Sequence, residues 1–132
     1  MVMSLVIAKH YVKKVLVDNG SSTNILFYDA FQRMKLPSHW LQPINAPLVR
    51  FTRNSVQVDG AIAFLVTAGK RPCQATRTLT FLVVRVPSAY NAILGRLGLN
   101  AFQAIVSTYH LLMKFLTSNG IDEVYADQMM AR

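Results

Sequence analysis

Asp18 is the residue whose type and setting could do chemistry. Val15-Leu16-Val17 lead into it, Asn19-Gly20-Ser21-Ser22 follow it, and Ile25-Leu26-Phe27 then return to apolar side chains. A carboxylate in a turn between two apolar segments is costly to bury unless something pairs with it or shares its proton. Acid–base work is the chemistry such a group could do. The bland reading is an Asx turn in which the carboxylate serves only the local backbone. Ser21 and Ser22 are not credible nucleophiles, because no histidine is placed to pair with them and no nucleophile-elbow pattern surrounds them.

The elements that must position this loop can be read along the chain. Val2 to Ala8 and Tyr11 to Val17 are apolar and β-branched, and Lys9-His10 between them predicts a hairpin. Phe27, Ala30, Phe31 and Met34 share one helical face, and Pro37 stops that helix. Residues 36 to 47, with Pro37, Pro43 and Pro47, read as a loop that Trp40 and Leu41 anchor to the core. Strands are expected at 48–51, 56–58 and 61–66, with bends at Thr52 to Ser55 and at Asp59-Gly60. A further strand spans Thr76 to Val86, and Leu97 to Phe102 reads as a short helix weakened by Gly98. Ala104 to Ser107 and Tyr109 to Phe115 supply two more strands, whereas 117–132 shows no core pattern and reads as a C-terminal extension or linker to a domain spanning 1–116.

These residues carry a resemblance. Apolar-Asp18-Asn19-Gly20-Ser21-Ser22-apolar, joined to Ile93-Leu94-Gly95, resembles the aspartic proteases. The stretches VLVDNGSSTNILFYDAFQRMKL, VQVDGAIAFLV, TRTLTFLVV, YNAILGRLGLNAF and VSTYHLLMKF look like the retropepsin-like aspartic protease domain of a plant gypsy-type retrotransposon polyprotein. The resemblance implies an all-β, acid-protease closed barrel with one or two short helices, as the single-lobe protomer of a homodimer. It implies aspartic-type peptide hydrolysis, in which one carboxylate activates a water and a second protonates the substrate carbonyl. Only one such loop is present, since Asp59-Gly60 lacks the following loop and Asp122 and Asp127 lie near the end. Asp18 from each of two copies would therefore form the pair, with Gly20 permitting close approach and Asn19, Ser21 and Ser22 in support.

The resemblance also implies a flap over the substrate cleft around Arg53, Asn54, Gly60 and Ile62, and a segment Ile93-Leu94-Gly95 threaded beside the catalytic loop. The sequence departs from the family pattern at three places. Asn19 stands where Thr or Ser is common, Gly60 is the one glycine left in the flap region, and Leu97 replaces a frequent proline. An ordinary hairpin with a basic tip, and an inactive domain that dimerises or binds peptide, are the corresponding alternatives.

Bulk composition bounds the rest. A chain of 132 residues is one domain, and 52% hydrophobic residues with mean hydropathy +0.29 suggest apolar surface destined for an interface. No apolar run is long enough to span a bilayer. The early charges follow the apolar start rather than precede it, so the expected location is intracellular and cytoplasmic, to which the resemblance adds virus-like particles. The lone Cys73 reads as structural, His10, His39 and His110 are too scattered for a metal set, and no cofactor is implied. The net charge of +8 is dispersed along the chain, which suits a solvated basic surface better than a groove-reading element and leaves weak, salt-sensitive RNA association as a further expectation. A basic nucleic-acid binder is the third function class.

Overall fold

The computed structural model describes residues 1–44, 48–50, 55–70, 73–107 and 109–127. Ten strands and two short helices occupy them. The first hairpin pairs β1 (Val2–Ile7) with β2 (His10–Val17), as the sequence predicts. The turn between them uses Ala8 at φ 50° and Lys9 at φ 67°, so two non-glycine residues turn in the left-handed region. Between the pairs Met3↔Val15 and Leu5↔Val12, Ser4 faces two residues, Lys13 and Lys14. That is a β-bulge, and Lys14 takes φ 57° to make it, at a cost on the order of 1 kcal/mol.

After the loop come β3 (Asn24–Phe27) and α1 (Tyr28–Met34), which ends on Lys35 in the left-handed region. Pro37 lies beyond that cap and opens a 3-10 turn, Ser38–Trp40. Trp40 does not anchor the loop, since it stays 43% exposed; Leu41 packs on the core in its place.

The next hairpin joins β4 (Leu48–Arg50) to β5 (Ser55–Lys70), and β5 pairs along its length with β6 (Cys73–Val84). Asp59-Gly60 is not a bend between two strands. It is a register shift inside one sixteen-residue strand, where Gly60 adopts φ 156°. A Cβ there would lie 2.6 Å from the Gln42 carbonyl, which bridges to Ala61, so the glycine admits the preceding loop.

Closure of the sheet depends on β7 (Ala92–Leu94), which inserts between distant partners: parallel to β2 and antiparallel to β3. With β3 parallel to β6, and β1 pairing β5, six strands close in the order β1-β2-β7-β3-β6-β5. The fold is mostly β, a closed six-strand barrel with few helices, as expected. The barrel is filled by Met3, Ile7, Leu26, Ile62, Phe81 and Leu94, with the Phe64 and Phe81 rings 5.7 Å apart.

Helix α2 (Arg96–Ala101) leads to a second sheet, β8 (Ile105–Ser107), β9 (Leu112–Thr117) and β10 (Gly120–Tyr125), in the order β10-β9-β8. Met113 and Phe115 turn inward to the same core, and Phe115 meets Phe102 edge-on at 6.3 Å. The stretch after 116, expected as an extension or linker, holds the end of β9 and all of β10. Its apolar residues alternate weakly, but strand β10 has β9 as partner, Ala126 is buried, and the Asp127 N–H donates to the Val2 carbonyl at 2.9 Å. Ser4 Oγ also donates to the Asp127 carboxylate at 2.6 Å. Among the described residues no helix is long and apolar enough to cross a membrane.

Candidate active site

Strand β2 carries the chain directly to Asp18. The Val17 N–H donates to the Met1 carbonyl at 2.8 Å, and the Asp18 N–H donates to the Leu94 carbonyl at 3.0 Å, so β1 and β7 both fix the strand's exit. The chain then turns on itself. The Gly20 N–H donates to Asp18 Oδ1 at 2.9 Å, and the Ser21 N–H donates to the Asp18 carbonyl at 3.2 Å. This local bonding is that of an Asx turn. It occupies one carboxylate oxygen and leaves Oδ2 without a donor among the described residues.

The far side of the loop is tied to the segment after β7. Ser21 Oγ donates to the Thr23 carbonyl at 2.9 Å, while the Ser21 carbonyl accepts the Arg96 N–H at 2.8 Å. Gly95 lies in this crossing, where a Cβ would sit 2.2 Å from the Thr23 carbonyl oxygen and 2.8 Å from that of Ser21. Only a residue without a side chain lets the two backbones pass so closely. The structure therefore brings Asp18, Gly20, Ser21, Leu94 and Gly95 together, and Ile93 packs nearby in a small apolar cluster with Ile25, Phe27, Val58 and Val84. Asn19 and Ser22 are exposed, and the Asn19 side chain has no hydrogen-bond partner among the described residues.

The residue that sequence reasoning missed is Asn24, which is 1% exposed. Its Oδ1 accepts the Gly95 N–H at 2.9 Å and the Gly98 N–H at 3.2 Å, and its Nδ2 donates to the Thr80 carbonyl at 3.2 Å. One amide thus joins the loop's exit to β6 and to the start of α2. The signal was an asparagine opening a fully apolar run, because a buried amide must find partners for its donors and acceptor. Gly98, which weakens α2 as a helix, is what admits it: a Cβ there would lie 2.7 Å from Asn24 Oδ1.

The residues expected in a flap separate. Arg53 and Asn54 lie outside the described residues, at the connection between β4 and β5. Gly60 serves the bulge in β5, and Ile62 is buried at 1% in the barrel core rather than lining a cleft. Beside that bulge, Arg85 Nη2 lies 3.2 Å from Asp59 Oδ2, and the guanidinium stacks 3.8 Å over the Tyr28 ring. Its hydrogen bond to Asp59 holds the Arg85 pKa above its ordinary value. Surface cavities of about 570, 480 and 390 Å³ are lined by other residues, and Asp18 is in none of them. In a single copy, the loop faces outward on an open surface.

Solved structures share this architecture. The retroviral protease-like domain of Ddi1 from Leishmania major superposes with a TM-score of 0.66 at 17% identity, over 94% of this chain and 93% of that one. The fold is that of the retropepsin-like aspartic proteases. The EIAV protease complexed with the inhibitor HBY-793 gives a TM-score of 0.56 at 21% identity, covering 81% of this chain and 91% of that one. A retropepsin-like aspartic protease from Rickettsia conorii gives 0.57 at 18% identity, over 80% and 75%. No protein-family model and no curated protein sequence matches the chain. The retropepsin-like fold thus rests on geometry rather than on close sequence kinship.

Proposed function

We propose that the chain is an aspartic-type endopeptidase whose site forms when two copies bring their Asp18 loops together. The observation that carries this reading is the setting of Asp18 within a retropepsin-like fold: Oδ1 is held by the Gly20 N–H, while Oδ2 is left for a water and a partner carboxylate. Two carboxylates that close share one proton, so one ionised group deprotonates the water as the protonated group donates to the peptide carbonyl. Gly20 keeps the space beside Asp18 open, since a Cβ there would stand 3.1 Å from Oδ1.

A homodimer also suits the outward face of the second sheet. Ile105, Leu116, Ile121 and Tyr125 share that face by the register of β8, β9 and β10, and Ile105 and Ile121 are 72% and 74% exposed. Such a row is an expected interface rather than an ordinary monomer surface. The retroelement reading, a protease that processes a gypsy-type polyprotein in the cell or in a virus-like particle, is supported by the sequence resemblance alone.

A non-cutting dimerisation or peptide-binding domain is the second reading, and Asn19 favours it. Its carboxamide is unpartnered where the family commonly has a Thr or Ser hydroxyl. Cleavage of an unfolded protein at mildly acidic pH, followed against chain concentration, separates the readings. The protease reading expects activity that rises faster than linearly at low concentration and disappears in Asp18→Asn with folding retained. A folded dimer that cuts nothing, and that gains cleavage on Asn19→Thr, establishes the second.

A further inference from the structure

The bulge in β2 builds a basic pocket on a part of the barrel that the Asp18 site does not use. Because Ser4 alone faces Lys13 and Lys14, both lysines are exposed where a regular strand would alternate one inward. Asn91 fixes this irregular backbone twice. Its N–H donates to the Lys14 carbonyl at 3.0 Å, and its Nδ2 donates to the Lys13 carbonyl at 2.7 Å. The remaining atom of the same amide, Oδ1, accepts from Arg33 Nη2 at 2.5 Å. One asparagine therefore gathers two strand lysines and a helix arginine around a common cavity of about 570 Å³, which His10 and Tyr11 complete.

The charges of this cavity are unbalanced. No carboxylate lines it, and among the described residues Lys13, Lys14 and Arg33 form no ion pair, the ion pairs there being Arg85–Asp59 and Lys114–Glu123. Like charges gathered without counter-ions repel one another, and a polyanion relieves that repulsion while releasing its own condensed counter-ions. Tyr11 stands at the rim as a residue 67% exposed. A cationic groove beside an open aromatic face is the pairing that holds a single-stranded nucleic acid, phosphates on the lysines and a base on the ring. A free phosphate or an acidic peptide would use the cations and leave the tyrosine idle.

We propose that the cavity between β2, α1 and the 88–91 turn, organised by Asn91, binds the backbone of single-stranded RNA, with Tyr11 stacking on one base. The cavity lies at the start of β2 and Asp18 beyond its end, about 13 Å from Lys14 at strand spacing. Binding is accordingly independent of Asp18.

The test is fluorescence anisotropy of the full chain with a fluorescein-labelled ten-nucleotide oligouridylate, titrated from 25 to 200 mM salt. Lys13→Gln/Lys14→Asn is compared with Lys35→Asn/Lys114→Gln, which removes the same charge elsewhere; asparagine tolerates the left-handed backbone at positions 14 and 35. The pocket pair is expected to weaken binding about tenfold or more at 25 mM salt and to flatten the slope of log K against log salt by about 1.4, two contacts at about 0.7 each. The control pair is expected to change affinity less than twofold, and Tyr11→Ser to weaken it about fivefold. Asp18→Asn leaves it unchanged. Equal losses in the two charge pairs mean that net charge alone attracts the RNA, and overturn the site. Competition by inorganic phosphate or poly-glutamate at phosphate-equivalent concentrations as effective as unlabelled oligouridylate overturns the nucleic-acid assignment.

Discussion

Replacing Asn24 with alanine removes a side chain that joins the exit of the Asp18 loop to both β6 and α2. Three hydrogen bonds go, and what remains is two buried N–H groups, those of Gly95 and Gly98, and the Thr80 carbonyl. Each buried polar group left without a partner costs about 1–3 kcal/mol. Two of the three bonds are long, at 3.2 Å, so values near the lower end apply to them and the sum comes to about 4 kcal/mol. Against a total stability of roughly 5–15 kcal/mol this is a large share. With a urea m-value of about 2 kcal/mol/M, the unfolding midpoint should fall by about 2 M. The assay is urea unfolding followed by circular dichroism at one fixed chain concentration, because the proposed dimer would make apparent stability concentration-dependent. Asn19→Ala is the matched control, an exposed asparagine whose loss should move stability by less than about 0.5 kcal/mol. A shift below about 1 kcal/mol for Asn24→Ala would refute the reasoning, since it would mean that the amide's partners are satisfied without it.

The remaining predictions concern the loop crossing, the outer sheet and one phenol. Gly95→Ala places a Cβ 2.2 Å from a backbone carbonyl that cannot swing aside, so the expected result is little or no folded protein in a thermal melt, whereas an unchanged melting temperature would contradict the close crossing. Ile121→Lys puts a charge on the exposed face of edge strand β10, opposite Leu116; if that face is the interface, sedimentation should show monomer in place of dimer, with the monomer's circular dichroism spectrum unaltered. The Tyr125 phenol is raised above its ordinary value because it donates to the Glu123 carboxylate, whose charge also opposes phenolate formation. Its stabilising contribution is therefore full below pH ~10 and is lost as pH rises through the higher folded value. NMR titration of ring-labelled tyrosine should show Tyr125 ionising earlier in Glu123→Gln.

The parts of the fold legible in the sequence are those governed by local pattern. The β1–β2 hairpin announces itself through two β-branched runs, α1 through an apolar stripe at 27, 30, 31 and 34, and the crossing at Gly95 through a glycine between an apolar pair and Arg96. What stayed hidden depends on partners far along the chain. Asp59-Gly60 has the composition of a turn, and only the pairing of Val58 with Val84 and of Gly60 with Val83 reveals that the strand runs through it. Strand β10 has no inward row of its own, since its outer face carries Ile121 and Tyr125 and its order comes from pairing with β9. Asn24 could be seen to need partners, but the Gly95 and Gly98 N–H groups lie more than seventy residues away. The doubled outward lysines at 13 and 14 read as an ordinary charged pair until the register with β1 exposes the bulge.

The insertion of β7 between β2 and β3 has a consequence in time. The Asp18 N–H waits for the Leu94 carbonyl, and the Ser21 carbonyl waits for the Arg96 N–H, so the loop cannot set until residues 94–96 have left the ribosome. Closing such distant pairings is slow, because the entropy of the intervening chain is lost before their bonds are gained. The carboxylate is thus made well before the segment that puts it in place. Until residues 94–96 emerge, Asp18 has neither the β7 carbonyl nor the crossing at Gly95 to hold its loop.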